Sequence, residues 1–347
     1  MPLFTRHPLA LQTAYSEIKR RAQERTELLP GTPGSVGTRV VGGRQFYYRQ
    51  FYDAVGKKRA DYLGPVGLDA AEARAETVRA SITLTKALVT EGRLLAQNGY
   101  VRVDARAGAI LGSLANRGLF RAGAVLVGSH AYGALLNELA VRAAAFATED
   151  VDVARDRPLD LALPDDVTFE TILAESTVPL VPVPALDRKA PVTSYKVPGK
   201  DALRVDLLVP ARGDEVTVRA VRELGANAQA VPGLRPLLAR PVPAIVMGRE
   251  GIIPVTVPRP EALAWHKLLL ARTRAATSDK RGKDRAQAAV LLAVLAEDAE
   301  ETVESGLDEL PGSARRRARE ACRPVVHTLR QAGHDRAADA VERAVAR

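Results

Sequence analysis

Apolar positions recur along this chain with several different periods, and each change of period marks a change of element. Leu9, Leu11, Ile18, Leu28 and Leu29 stand among Arg, Lys and Glu at loosely helical spacing, predicting a helix over 8–29 that the Pro and Gly of PGTPGS (30–35) stop. VGTRVV (36–41), RQFYYRQFY (44–52) and KKRADYL (57–63) read as short extended runs, the last two joined by DAVG, whose Asp53 and Gly56 supply turn chemistry. Together they predict a three-stranded antiparallel meander. After GPVG the composition switches to Ala, Glu, Arg, Leu and Thr, so a long helix is expected from Asp69 to Gln97.

A second unit opens near Tyr100 with a helix over 105–117 and the short apolar run GAVLVGS, in which Val125–Val127 reads as a buried strand. Gly128 and Ser129 turn it into the helical run AYGALLNELAVRAAA (131–145). Further strands are predicted at 149–154, 191–197, 203–209 and within 243–257, where PAIVM and IPVTV lie. VPRP (257–260) marks a boundary, beyond which the pattern is helical throughout, with Gly282, Gly306, Gly312 and Gly333 as breaks. The expectation is an α+β chain in three parts. Residues 1–98 hold a helix, a β-meander and a long helix; 99–257 hold a mixed sheet of four or five strands with helices; 258–347 form a helical bundle.

Composition narrows the class. Apolar residues are 46% of the chain and charged residues 26%, and no apolar run approaches the ~20 residues of a membrane span. The first residues lack the order of a secretory signal, so the cytoplasm is the expected compartment. Cys322 is the lone cysteine, which excludes an internal disulfide and reads as a small buried hydrophobe. Fifty Lys and Arg against 41 Asp and Glu leave +9, which favours polyanionic partners. An Ala- and Arg-rich composition gives the same excess as solvated helix faces, as in SARRRAREACR (313–323).

The chemistry lies in three features in fixed order: a strand ending at Gly128 and Ser129, then Asp150-Val151-Asp152, then Asp206 inside the apolar run LRVDLLV. Residues two apart on a strand share a face, so Asp150 and Asp152 point together while Val151 and Val153 enter the core. Adjacent carboxylates repel and raise one another's pKa unless a hard divalent cation neutralises them, and magnesium suits an all-oxygen site. Asp206 between Val205 and Leu207 needs such a partner too. Three acids holding two ions are a device for in-line attack at a nucleotide phosphate, with Asp206 placed as general base. Gly128 lets the backbone approach a phosphate, and Ser129 with the first helix amides can donate to it. The bland alternatives are turn or cap roles for Asp150 and Asp152, an ion pair of Asp206 with Arg204 or Arg219, and local packing for His130.

With these residues the chain resembles the DNA polymerase beta-like nucleotidyltransferase superfamily. PRPEALAWHKLLLAR followed by KRGKDRAQAAVLL resembles the C-terminal half of minimal bacterial nucleotidyltransferases, including the AbiEii and MenT toxins of type IV toxin-antitoxin systems. The resemblance spans roughly 120–295. It implies Mg2+, two ions with Mn2+ as a substitute, binding an NTP. Lys267 would be a phosphate lysine, Arg272 a second phosphate or helix-anchoring cation, and Lys283 with Asp284 the late motif. Ser129 and Asp150 stand further apart than in compact relatives, as a longer linking helix would make them. Read from the pattern alone, Lys267 also suits the solvated side of an amphipathic helix, and Asp284 suits an ordinary partner for Lys280.

The predicted meander carries a separate clue. Six of the chain's 14 Phe and Tyr lie between 46 and 62, interleaved with cations, and Arg44, Tyr48, Arg49, Lys57, Lys58 and Arg59 are candidate nucleic-acid contacts. An amphipathic sheet with Tyr inside and Arg outside gives the same pattern. The activity expected is transfer of a nucleoside monophosphate from an NTP to a hydroxyl, foremost of RNA such as a tRNA end. A toxin-like role with an antitoxin partner is one context. Transfer to a protein or small molecule, or a nucleic-acid-binding protein without catalysis, are the rival readings.

Overall fold

The computed structural model describes residues 1–144, 148–161, 163–164, 166–184, 191–200, 203–213, 215–274 and 278–346. Position 145 of the predicted helix 131–145, and positions 275–277 and 347 of the predicted helical tail, lie outside the described residues. Strand β1 (Phe4–Arg6) precedes helix α1 (Leu9–Gln23). The meander follows as β2 (Ser35–Val41), β3 (Arg44–Tyr52) and β4 (Lys58–Pro65), antiparallel and in that spatial order. Its first turn is Gly42-Gly43, both at positive φ, which suits a two-residue hairpin. Helix α2 (Asp69–Gln97) has the bounds that the composition switch predicts, and its apolar stripe lies against the meander.

Helix α3 (Ala105–Asn116) is capped by the Asp104 carboxylate, which accepts from the amides of Arg106 and Ala107. Then come β5 (Val125–Val127), α4 (Gly128–Glu138), β6 (Val141–Ala143), β7 (Asp150–Ala154), α5 (Phe169–Glu175) and β8 (Val181–Pro182). They are followed by β9 (Ser194–Lys196), β10 (Arg204–Pro210), β11 (Thr217–Val221), β12 (Ala226–Val231), β13 (Val242–Met247) and β14 (Ile252–Val257). The central sheet has seven strands, β11-β12-β10-β7-β5 with β9 beside β10 and β8 beside β9. It is mixed, since β10 runs parallel to β7 and to β12 while the other pairs are antiparallel. This is more than the four or five strands expected. TVRAV and ANAQAV place polar residues inside short runs, and such end-of-sheet strands lack the continuous apolar signature of central ones.

Two strand pairs join regions remote in sequence. β1 pairs antiparallel with β6, so the residues between Ser129 and Asp150 include a strand rather than only the longer helix expected. The β13–β14 hairpin alternates its faces. Ile245, Met247 and Ile252 pack with Tyr15 and Ile18 of α1, Leu88 and Leu95 of α2 and Tyr100 just beyond it, while Ala244, Val246, Ile253 and Val255 join the core around the sheet.

The helical tail is α6 (Pro260–Thr273), α7 (Asp279–Asp298), α8 (Glu301–Asp308), α9 (Gly312–Gln331) and α10 (Asp335–Ala346). Pro260 starts α6 where its missing N–H costs nothing. Gly282 and Gly306 do not break helices as expected: both lie inside them. At Gly306 a β-carbon would press on Glu261 and Trp265, so this glycine serves close helix packing. Cys322 is buried. No helix among the described residues is long and apolar enough to cross a membrane.

Candidate functional site

In DVDVA, Val151 and Val153 are fully buried and Asp150 and Asp152 take the opposite face; in RVDLLVP, Val205 and Leu207 are buried and Asp206 faces the other way. The parallel register of β7 and β10 then sets Asp206 directly beside Asp152, and Arg204 beside Asp150. On the outer flanks Val127 of β5 lies opposite Asp152, and Ser194 of β9 lies opposite Asp206. One line across four strands therefore reads Val127, Asp152, Asp206, Ser194. At the end of β5, Gly128 takes a φ of 71° as the chain turns into α4. A methyl group there would overlap the Asp152 carboxylate, so the Gly128 backbone sits against that acid.

The carboxylates are held by cations and a hydroxyl. Lys280 Nζ, from the first turn of α7, donates to Asp150 Oδ2 at 3.0 Å. Arg204 Nε lies 3.1 Å from Asp206 Oδ1, and the Ser194 hydroxyl donates to the same oxygen. The Arg204 pairing raised for Asp206 is thus present, whereas Arg219 donates to the Pro210 carbonyl. Burial, then the charges of Asp206 and Asp150, push the Asp152 carboxyl up to about 7, against the opposing pull of Lys267 and Lys280. Asp206 is also raised, chiefly by burial, with Ser194 and Arg204 working the other way.

Behind this row lies a buried cation–acid cluster. Lys267 on α6 is 3% exposed and Asp284 on α7 is 1% exposed, with Nζ 2.9 Å from Oδ1; Arg274 reaches the other oxygen, Oδ2, at 2.6 Å. Lys267 is thus no solvated helix residue, and Asp284 is not the surface partner of Lys280. Lys283 also adjoins the cluster, and burial lowers its pKa, with Lys267 adding to the effect. Arg272 lies half-exposed, 2.6 Å from Glu320 of α9, the kind of contact a helix-anchoring cation makes.

Ser129 and His130 line a hollow of about 300 Å3 with Arg102, Asp104, Tyr132 and Thr148. Thr148 Oγ1 faces the Asp150 amide at 3.4 Å, which places the hollow next to the acids. Burial pulls His130 down to about 4, so it is neutral there. A larger cavity of about 1020 Å3 lies between the meander and α3, touched by Phe51, Arg59 and Asp61 on one side and Gly108 and Gly112 on the other.

The candidate meander contacts divide between two faces. Arg49 is 1% exposed and departs from the nucleic-acid role expected of it. Its guanidinium donates to the carbonyls of Pro30, Thr32 and Pro33 and to Asp61, and lies over the Phe51 ring. Arg59 turns to Asp53 at 2.8 Å. Arg44, Lys57 and Lys58 are exposed, and Tyr48 is half-buried beside Tyr62. Residues that the sequence reading did not single out are Ser194, Arg274 and the contact of Lys280 with Asp150. Ser194 carried a faint signal as a hydroxyl in a predicted strand; Lys280 carried none beyond the KRGKD charge run, and Arg274, which precedes that run, carried none.

Could these acids hold a metal ion? Among the described residues no three His, Cys, Asp or Glu side chains stand ready-formed around one point. The reason is visible: Lys280, Arg204 and Ser194 draw the outer two carboxylates toward themselves. The donor set nonetheless fits a hard divalent cation, because it is all oxygen and burial, with the charges of Asp206 and Asp150, pushes the Asp152 carboxyl up to about 7, a penalty that a bound cation would relieve.

Comparison with known proteins bears on this geometry. No curated protein and no solved structure matches. A family model described as Nucleotidyltransferase matches residues 105–310, which include α3, the whole central sheet with Asp150, Asp152 and Asp206, and α6 to α8. That match covers more than half of the chain, so the protein belongs to this nucleotidyltransferase family and is an enzyme of the transferase class.

Proposed function

We propose that this chain transfers a nucleoside monophosphate from an NTP to a hydroxyl of RNA, a tRNA end foremost, with release of pyrophosphate. The observation that carries the reading is the register that lays Asp206 beside Asp152, with the Gly128 turn against the same carboxylate. Asp150, Asp152 and Asp206 would hold magnesium, or manganese in its place; such ions supply neutralisation of phosphate charge and acidification of the attacking hydroxyl when bound. Asp206, with its raised proton affinity, is suited to accept the hydroxyl proton. The first amides of α4 after the Gly128 turn, with the Ser129 hydroxyl, would donate to phosphate oxygens. Lys280 stands at the mouth of the site, where its ammonium would exchange Asp150 for a phosphate oxygen. Lys267 and Asp284 act from within, Lys267 lowering the proton affinity of Asp152 by its charge.

RNA as acceptor is supported by the +9 charge and by the aromatic, cationic meander. The order GS, DVD, Asp206 and the α6–α7 pair also supports an AbiEii- or MenT-like toxin role in the cytoplasm, with an antitoxin protein as partner. The test is incubation with α-labelled NTPs and total tRNA, with and without Mg2+, for wild type and Asp150→Ala. Label on RNA from wild type alone is the expected result. Label on the protein or on a small metabolite would replace RNA as acceptor, and label nowhere would leave a nucleic-acid-binding protein without catalysis. Induced expression that arrests growth in wild type and not in Asp150→Ala tests the toxin role.

A further inference from the structure

The register of the meander sorts its side chains into two faces. Toward α2 and the large cavity lie Tyr47, Arg49 and Phe51, with Tyr47 donating to Glu72 and Arg49 buried. On the opposite face Arg39 sits across from Phe46, Tyr48 across from Tyr62, and Tyr52 across from Lys58. The Phe46 and Tyr62 ring centres are 5.9 Å apart, those of Tyr48 and Tyr62 are 5.5 Å apart, and the Arg39 guanidinium lies 5.2 Å over the Tyr48 ring. Tyr62 and Tyr52 are each 53% exposed, and among the described residues none of the four rings on this face belongs to a core cluster. Arg39, Arg44 and Lys58 accompany them, with no carboxylate on the same face and no ion pair involving these three among the described residues.

We infer that this outer face, built on Phe46, Tyr48 and Tyr62 with Arg39, Arg44 and Lys58, is a stacking platform for single-stranded RNA. Rings on a sheet offer their π-faces to unpaired bases of any identity, and cations around them take the phosphates. A duplex hides its base faces and has nothing to place on the rings. The strand is single-stranded RNA rather than an acidic peptide, because a peptide would use the cations and leave the exposed rings without a role. Placement of the acceptor's unpaired end by this platform rests on the transfer reading above; binding itself does not.

Binding of fluorescein-labelled U12 RNA to the full chain, followed by anisotropy across a salt series, tests this. Three proteins are compared: wild type, Tyr48→Val/Tyr62→Val and Arg39→Ala/Arg44→Ala/Lys58→Ala. Valine keeps strand propensity while removing the rings, and thermal melts verify that each variant folds. The expected result is weakening of at least about tenfold for the tyrosine variant. The slope of log K against log salt is expected to fall by about two in the cation variant, at about 0.7 per phosphate released. No binding by wild type, less than threefold loss in a folded tyrosine variant, an unchanged salt slope in the folded cation variant, or a 12-bp RNA duplex bound as tightly as U12 would each overturn the platform. Binding that follows the expected pattern, from a wild type that labels no acceptor, would retain the platform and sink the transfer reading instead.

Discussion

Replacing Asp152 with Asn should stabilise the metal-free protein while abolishing its activity. The two side chains have nearly the same shape, so the change removes a charge and little else. The Asp152 carboxyl is pushed from its ordinary value to about 7 by burial and by Asp206 and Asp150, a rise of roughly three units. At about 1.4 kcal/mol per unit, that sets a ceiling of about 4 kcal/mol on the strain of ionising it in the folded state. Water at the open side of the site and movement of Lys280 reduce it, and about 2 kcal/mol is expected. The sign follows from proton counting. Between about pH 4 and 7 the unfolded chain has already released this proton and the folded chain still holds it, so wild-type stability falls as pH rises through that window and levels off above it. The asparagine variant lacks this slope. Urea unfolding in EDTA, followed by the fluorescence of the buried Trp265, should show the two proteins alike near pH 4 and the variant ahead by about 2 kcal/mol at pH 8. Adding Mg2+ should raise the wild-type midpoint at pH 8 and leave that of the variant in place, since only a ligand that binds the native state stabilises it. A variant no more stable than wild type at pH 8 without divalent ions, or a gap that does not widen with pH, would refute the electrostatic account.

Three other outcomes are expected. Gly128→Ala combines a left-handed backbone with a methyl group overlapping the Asp152 carboxylate, and should cost at least about 1 kcal/mol in denaturant titration and nearly all NMP incorporation. Asp284→Ala strands Lys267 without its partner inside the core and should cost about 3–5 kcal/mol, whereas Lys267→Met leaves Asp284 its Arg274 and should cost less; equal losses would contradict the cluster geometry. Arg49→Ala opens three carbonyls of the 30–33 turn and should destabilise by about 3 kcal/mol without changing the salt dependence of RNA binding, which anisotropy checks directly.

What the sequence revealed of the fold depended on whether the signal was local. The DAVG turn, the composition switch at Asp69 and the Val-Asp alternations of β7 and β10 each lie within a few residues, and each predicted its element. The candidate acids could be named because an Asp within an apolar run is costly wherever it falls. Their convergence was expected from the need of each buried acid for a shared partner, but the pairing that sets Asp206 beside Asp152 was not legible, because it depends on the register between strands about fifty residues apart. The same holds for β1 on β6, for Lys280 reaching Asp150 and for Arg274 reaching Asp284. Arg49 misled for a different reason: both faces of β3 carry rings and cations, and only packing against α2 and the 30–33 turn decides which side is buried.

The pairing of β1 with β6 sets an order of events during synthesis. Strand Phe4–Arg6 is made before Val141–Ala143 and waits for it. The Leu3 amide then donates to His334, Phe4 stacks on that ring and Arg6 grips Asp298, so this segment is fastened by residues made much later. With His334 made 331 positions after Leu3, the β1 segment stays unlatched for roughly half a minute at translation rates of 5–20 residues per second. An enzyme assembled this way gains its full set of clasps only after the strands bearing its acids have already been made.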